Sequence, residues 1–295
     1  MALGAYQARV DERISSLVAG NAADRIWQRD ATFWSGDAGR HRSVANRLGW
    51  LDIASQMRDR VPEIEAFAAQ VKAGGFTDAV LLGMGGSSLA PEVLRQSIAD
   101  HVCDGWPKLH VLDTTDPATI LNVSEQIDPA RTLFFVSSKS GTTIEALSLF
   151  AYFHALVAKA KPGRAGENFV AVTDAATPLE GLAQEHSFRH IFTNPGDIGG
   201  RYSVLSYFGL GPAAVAGVDV AKLLERAIAA AADARASVGD ALRLGAALGE
   251  LALSGRDKCT FIISPRIASF GLWVEQLIAE STGKEGLGII PVASE

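Results

Sequence analysis

The stretch T-L-F-F-V-S-S-K-S-G-T-T-I-E-A-L, Thr132–Leu147, sets an unbroken apolar run against a polar loop and then a second apolar segment of different period. The run T-L-F-F-V-S does not alternate, which predicts a strand buried on both faces, as in a parallel sheet covered by helices. The segment T-I-E-A-L-S-L-F-A-Y-F-H-A-L that follows has helical spacing. Reading outward, D-A-V-L-L-G, K-L-H-V-L-D, N-F-V-A-V-T and H-I-F-T-N repeat the strand pattern. Helix-like segments such as S-L-A-P-E-V-L-R-Q-S-I, D-P-A-T-I-L-N-V-S-E-Q and T-P-L-E-G-L-A-Q-E separate them, several with a cap or an early Pro. The order predicts an α/β fold with a doubly wound, parallel, five-stranded sheet flanked by helices over residues 78–205.

Residues 1–77 read as a helical lead-in packing on the sheet, including P-E-I-E-A-F-A-A-Q-V-K before Gly74-Gly75. Residues 206–255 read as connecting helices, rich in Ala and Leu. Residues 256–295 carry K-C-T-F-I-I-S, F-G-L-W-V-E-Q-L-I-A-E and L-G-I-I-P-V, one further strand-helix-strand unit. A unit this small cannot hold a core of its own, so it either docks on the first domain or begins a larger one.

The bulk numbers exclude several classes. The 295 residues are 48% hydrophobic and 20% charged, with no apolar run long enough to span a bilayer, so no membrane role is expected. A net charge of -6 opposes nucleic-acid binding, which needs a basic surface. The N-terminus lacks a basic stretch leading into an apolar core, so a cytoplasmic protein is expected. Cys103 and Cys259 are far apart and read as buried thiols. The histidines at 41, 101, 110, 154, 186 and 190 form no HxH or HExxH pattern, and His154 in F-H-A-L-V reads as a partly buried core residue.

In an open parallel sheet, ligands bind beyond the carboxyl ends of the strands. Two loops fall there. Gly83–Ser88, G-M-G-G-S-S, has glycines that permit close backbone approach. Ser137–Thr143 offers the hydroxyls of Ser137, Ser138, Ser140, Thr142 and Thr143, with Lys139 and a turn at Gly141, a composition suited to a phosphate. Either could equally be a helix cap with no ligand. G-M-G-G-S-S also falls one residue short of the dinucleotide fingerprint, with Asp113 where a ribose-binding acid could sit, so a nucleotide reading stays open. Further along, Gly199-Gly200 before Arg201 would let an arginine reach into a cleft, or mark a surface turn. Gln276 and Glu280 are four apart on one predicted helix face that Gly283 would end; alone, Glu280 is an ordinary helix-end carboxylate.

Taken in order, G-M-G-G-S-S, S-S-K-S-G-T-T-I-E, G-G-R-Y-S-V and Q-x-x-x-E-S-x-G-K resemble the glucose-6-phosphate isomerase family. The similarity runs from Asp78 to Lys284. R-I-W-Q-R-D-A-T-F-W and R-L-G-W-L resemble the lead-in of a bacterial branch in which the isomerase can follow a transaldolase in one chain. The resemblance implies two sugar isomerase (SIS) domains, the first over 78–205 and the second begun at 256 and cut short. It implies that Ser138, Ser140 and Thr143 bind the sugar phosphate with the Lys139 backbone, and that Gly86 and Ser87 line the same pocket. Arg201, following Gly200, would stabilise an enediolate, and Glu280 would move the proton between C2 and C1 with Gln276 beside it. No metal and no organic cofactor is implied. The partners implied are a sugar phosphate and, for the parent protein, a second copy in a homodimer or a fused transaldolase. A ring-opening His and a C-terminal Lys of the family would lie beyond Glu295, so the chain is expected to be the front portion of a longer enzyme. The rival expectation is an SIS module that only binds or senses a sugar phosphate, which has no use for a carbon base such as Glu280.

Overall fold

The computed structural model describes residues 3–99, 105–235 and 239–293. His101 and Cys103 lie outside the described residues. The strands β1 (Asp78–Gly83), β2 (Lys108–Leu112), β3 (Thr132–Ser137), β4 (Phe169–Asp174) and β5 (His190–Asn194) form one parallel sheet in the order β2-β1-β3-β4-β5.

The unbroken apolar runs are explained by two cores, one on each face of this sheet. On one face Leu81, Leu133, Phe135, Val172 and Phe192 meet Ile64, Phe67 and Val71 of the helix Val61–Ala73 and the helix Tyr207–Val215, whose residues are all buried. On the other, Leu82, Phe134, Val136, Phe169 and Ala171 meet the helices Pro117–Gln126, Ile144–Ala160 and Pro178–Glu185. Alternate residues of a strand point to opposite faces, so only a strand covered on both sides needs apolar residues throughout.

The lead-in divides its packing. Val61–Ala73 lies on the sheet, whereas the helix Gln7–Ala19 packs on the later helix Asp240–Leu253. Arg13 Nε stands 2.5 Å from Glu250 Oε1, and Arg9 donates to Ser254 Oγ at 3.0 Å. The connecting region is two helices, Val220–Ala234 and Asp240–Leu253. Beyond it, β6 (Lys258–Thr260) and β7 (Ile290–Val292) pair in parallel, joined through the helix Phe270–Thr282. That helix docks on the first sheet's loops through Leu89–Leu94, Gly85–Ser87 and Gly200–Leu205. Cys259 on β6 is half-buried rather than buried, because a two-stranded sheet has little to cover it. Among the described residues, no helix is long and apolar enough to cross a membrane.

His190 on β5 is half-buried, its ring centroid 5.1 Å from that of Phe67 and 4.3 Å from that of Phe192. Burial holds its pKa below the ordinary value, and Glu63 Oε1, 3.6 Å from Nε2, opposes this without overcoming it. The unfolded chain therefore binds a proton more readily, so stability rises with pH through this window. His190's contribution is fully present above about pH 6.5 and is lost as pH falls toward the depressed folded value. Urea unfolding at pH 7 and pH 5.5 should show a smaller loss of stability on acidification for His190→Phe than for the unsubstituted chain. An equal loss in both would remove His190 from the pH dependence.

Candidate active site

From β1 the chain winds to β2 on one side, while β3 begins the winding on the other. The carboxyl ends of β1 and β3 thus flank the topological switch point, where the loops diverge and leave a crevice. Gly83 stands in register with Ser137, which brings Gly83–Ser88 and Ser137–Thr143 side by side.

In the Ser137–Thr143 loop the hydroxyls face different ways. Ser138, only 1% exposed, accepts from the Gly141 N–H at 3.1 Å, and its Oγ is 2.8 Å from Thr143 Oγ1, so it builds the turn. Ser140 and Thr142 are exposed, with their hydroxyl oxygens 2.9 Å apart. Gly141 has φ +70°, and a Cβ there would lie 2.7 Å from Thr177 Cβ, so a side chain at this position is excluded twice over. Thr143 is the N-cap of Ile144–Ala160 but makes no side-chain capping bond, leaving first-turn N–H groups without that partner. First-turn N–H groups at a helix N-terminus can seat an anion.

Lys139 sends its ammonium away from this seat, to Asp174 Oδ2 at the end of β4 and to the Gly196 carbonyl at 3.3 Å. Burial raises the Asp174 pKa, and Lys139 opposes that rise. The Asp174 Oδ1 and both side-chain polar atoms of Asn194, the register partner on β5, are buried without a hydrogen-bond partner among the described residues.

Gly83–Ser88 folds into a short turn beneath the Gly200–Leu205 turn. A Cβ on Gly86 would fall 2.3 Å from the Gly200 carbonyl oxygen and 2.9 Å from the Arg201 nitrogen. Ser203 Oγ donates to the Gly200 carbonyl at 2.6 Å and to the Gly86 carbonyl at 3.3 Å. Ser87 is buried. This first loop is thus covered by the protein's own backbone, whereas Ser140 and Thr142 remain open. That contrast favours the Ser137–Thr143 loop as the anion seat over the nucleotide reading, and Asp113 is left exposed at the end of the edge strand β2.

The helix Phe270–Thr282 brings Glu280 to the same mouth. Arg201 Nε is 3.1 Å from Glu280 Oε2, and Gln276 donates to Glu280 Oε1 at 3.1 Å. The i, i+4 spacing places Gln276 and Glu280 on one helix face, and Gly283 follows the last helical residue. The structure therefore gathers Gly86, Ser87, Gly200, Arg201, Gln276 and Glu280 around one junction, with Ser138, Lys139, Ser140 and Thr143 on the adjoining loop. The sequence reading assigns no role to Asp174 or Asn194, nor to Tyr202 and Ser281, which stand inside two of the motifs. Tyr202 and Ser281 each adjoin a singled-out residue, and their hydroxyls meet at 2.7 Å. Elsewhere, a largely apolar cavity of about 710 Å³ lies between the lead-in and the connecting helices, lined by Trp27, Phe33, Trp50 and Leu205, with the Arg13–Glu250 pair in its wall.

The fold and site define an α/β protein with its ligand crevice at the switch point of a parallel sheet. The phosphoglucose isomerase family model matches residues 25–285, and the chain belongs to that family. A glucose-6-phosphate isomerase of Rubrobacter xylanophilus is 33% identical over 236 residues, covering 76% of this chain and 54% of the relative. A probable glucose-6-phosphate isomerase of Methanococcus maripaludis is 29% identical over 260 residues, covering 86% and 57%. The crystal structure of a glucose-6-phosphate isomerase from Chlamydia trachomatis superposes with a TM-score of 0.67 at 25% identity, covering 91% of this chain and 50% of that one. The chain spans about half the length of the curated relatives it matches.

Gly86→Ala should force the Gly86 and Gly200 backbones apart, costing about 1–3 kcal/mol, the usual penalty of overpacking. Urea denaturation with an unchanged m-value checks this, and an unshifted midpoint would mean that the two turns are not in contact.

Proposed function

We propose that the chain carries the phosphate seat and the proton-transfer pair of an aldose-ketose isomerase that interconverts glucose 6-phosphate and fructose 6-phosphate through an enediol. The observation that carries this reading is the Arg201–Glu280 pair, 3.1 Å apart, beside an open hydroxyl loop. The substrate's phosphate occupies the loop, held by Ser140, Thr143 and backbone N–H groups, while Ser138 keeps the turn in shape. The sugar then reaches toward Arg201 and Glu280.

A carboxylate can remove a carbon-bound proton only if the oxyanion left behind is stabilised in the transition state. Glu280 takes the proton from C2 of the open-chain aldose, and the electron pair moves through C1 to the carbonyl oxygen. Arg201 neutralises the charge on the enediolate oxygens. Return of the proton to C1, with transfer of the hydroxyl proton from O2, yields the ketose. Gln276 donates to the same carboxylate and orients it. A module that only binds a sugar phosphate would need the loop but not this pair, and a phosphorylated substrate retained inside the cell agrees with a cytoplasmic protein.

In the full-length parent, Glu280→Gln should lower the rate of fructose 6-phosphate formation by roughly 10²- to 10⁴-fold, the span usual for a general base, with sugar-phosphate affinity nearly intact. Turnover that survives this substitution would sink the assignment of the base. Isothermal titration with glucose 6-phosphate should show binding weakened by about 1–3 kcal/mol in Ser140→Ala, the cost of an unmade contact to a charged group. Equal affinity would move the phosphate elsewhere.

A further inference from the structure

We infer that Tyr202 and Ser281 are a positioning pair that holds Glu280 opposite Arg201 when the ion pair between those two residues opens. The inference rests on the isomerase reading and deepens it. The helix Phe270–Thr282 reaches the first sheet through a few short segments, and two side-chain polar ties join it to the Gly200–Leu205 turn. One is the Arg201–Glu280 pair, whose side chains are 28% and 49% exposed. An ion pair so open to water contributes little to holding two elements together. It is also used up by the reaction, since Arg201 must turn to the substrate oxygens and Glu280 to a carbon-bound proton.

The second tie lies one residue further along both elements. Tyr202 Oη is 2.7 Å from Ser281 Oγ, a well-made O–H···O distance. Substrate chemistry makes no demand on either hydroxyl, so this bond can persist through the cycle. Tyr202 is itself fixed from behind, its ring stacked on Trp50 with centroids 5.2 Å apart and planes 15° apart. The lead-in around Trp50 is in turn fastened to the loop ahead of Tyr202. Gly49 N–H donates to the Asp197 carbonyl at 3.0 Å, Leu48 bridges Ile198, and Arg29 spans Asp197 and Asp52 at 2.9 Å each. A run of contacts from Trp50 through Tyr202 to Ser281 therefore sets the height of the Glu280 helix against the Arg201 turn. A misplacement of a reacting group by about 1 Å can cost up to about 10²-fold in rate, so such a support acts on kcat.

The test compares Tyr202→Phe, which keeps the ring and its stack on Trp50, with Ser281→Ala, their double variant and Ser281→Thr, which restores a hydroxyl. Initial rates on glucose 6-phosphate give kcat and KM, and amide hydrogen exchange reads the helix Phe270–Thr282 without recourse to activity. Each single variant should lower kcat about five- to tenfold with KM within about twofold, the equivalent of one lost hydrogen bond. The double variant should be no slower than the slower single one, because both remove the same interaction. Ser281→Thr should recover most of the rate. Exchange in Phe270–Thr282 should quicken in both single variants while that of β1, β3 and β4 stays unchanged. An unchanged kcat, an effect on KM alone, or additive losses in the double variant would overturn the inference. The rates are taken on the full-length parent, and its failure, unsubstituted, to interconvert the sugar phosphates would instead overturn the isomerase reading. Exchange unchanged in Ser281→Ala would show that the tie itself is absent.

Discussion

The parallel pairing of β1 with β3, which sets Gly83 beside Ser137, is the constraint on which the rest of the candidate site depends. It opens the crevice by sending the chain to opposite sides from neighbouring strands. Each later contribution is placed by resting on this one. The Gly200–Leu205 turn packs on Gly85–Ser87, and the helix Phe270–Thr282 packs on both. If β1 and β3 were not neighbours, residues as distant in sequence as Ser140 and Glu280 would have no common surface to meet on.

Much of this frame was legible in the sequence, for a specific physical reason. A strand buried on both faces must be apolar at consecutive positions, so T-L-F-F-V and N-F-V-A-V stood out, and the five runs singled out contain the five strands but for Asp174 at the end of β4. The helix ends before Gly74 and Gly283 were legible because a helix terminus has a local chemistry of its own. The strand order was not, since side-chain periodicity carries no information about which neighbour a covered strand selects. Nor was the docking of Gln7–Ala19 on Asp240–Leu253, because an amphipathic helix announces that one face will be buried without naming the surface that buries it.

The site divides in the same way. Ser138, Ser140, Gly86, Arg201 and Glu280 were legible as residue types suited to a chemistry, and the folded chain brings them into neighbouring positions. How the side chains are partnered was not. Lys139 reads in sequence as a cation available to an anion, yet its ammonium is held by Asp174 and the Gly196 carbonyl. Ser138 reads as a ligand donor, yet it is buried within the turn it stabilises. The Tyr202–Ser281 bond joins two residues that stand inside separate motifs without an assigned role, and only the folded chain brings them together.

These pairings bear on how a protein of net charge -6 could handle a phosphorylated sugar. Lys139 is matched by Asp174 and Arg201 by Glu280, so these two cations are paired before any ligand arrives. In the proposed reading the phosphate end would rely on hydroxyls and backbone dipoles, which bind an anion without first breaking an ion pair. At the reacting end the pairing has the opposite use. While Glu280 is ionised it competes with substrate oxygens for Arg201. In the proposed isomerisation, Glu280 loses its charge on accepting the C2 proton, and the enediolate oxygens gain theirs in the same step. Arg201 is thereby released from one anion as the other forms, so its charge is directed to the oxygens when they most need it.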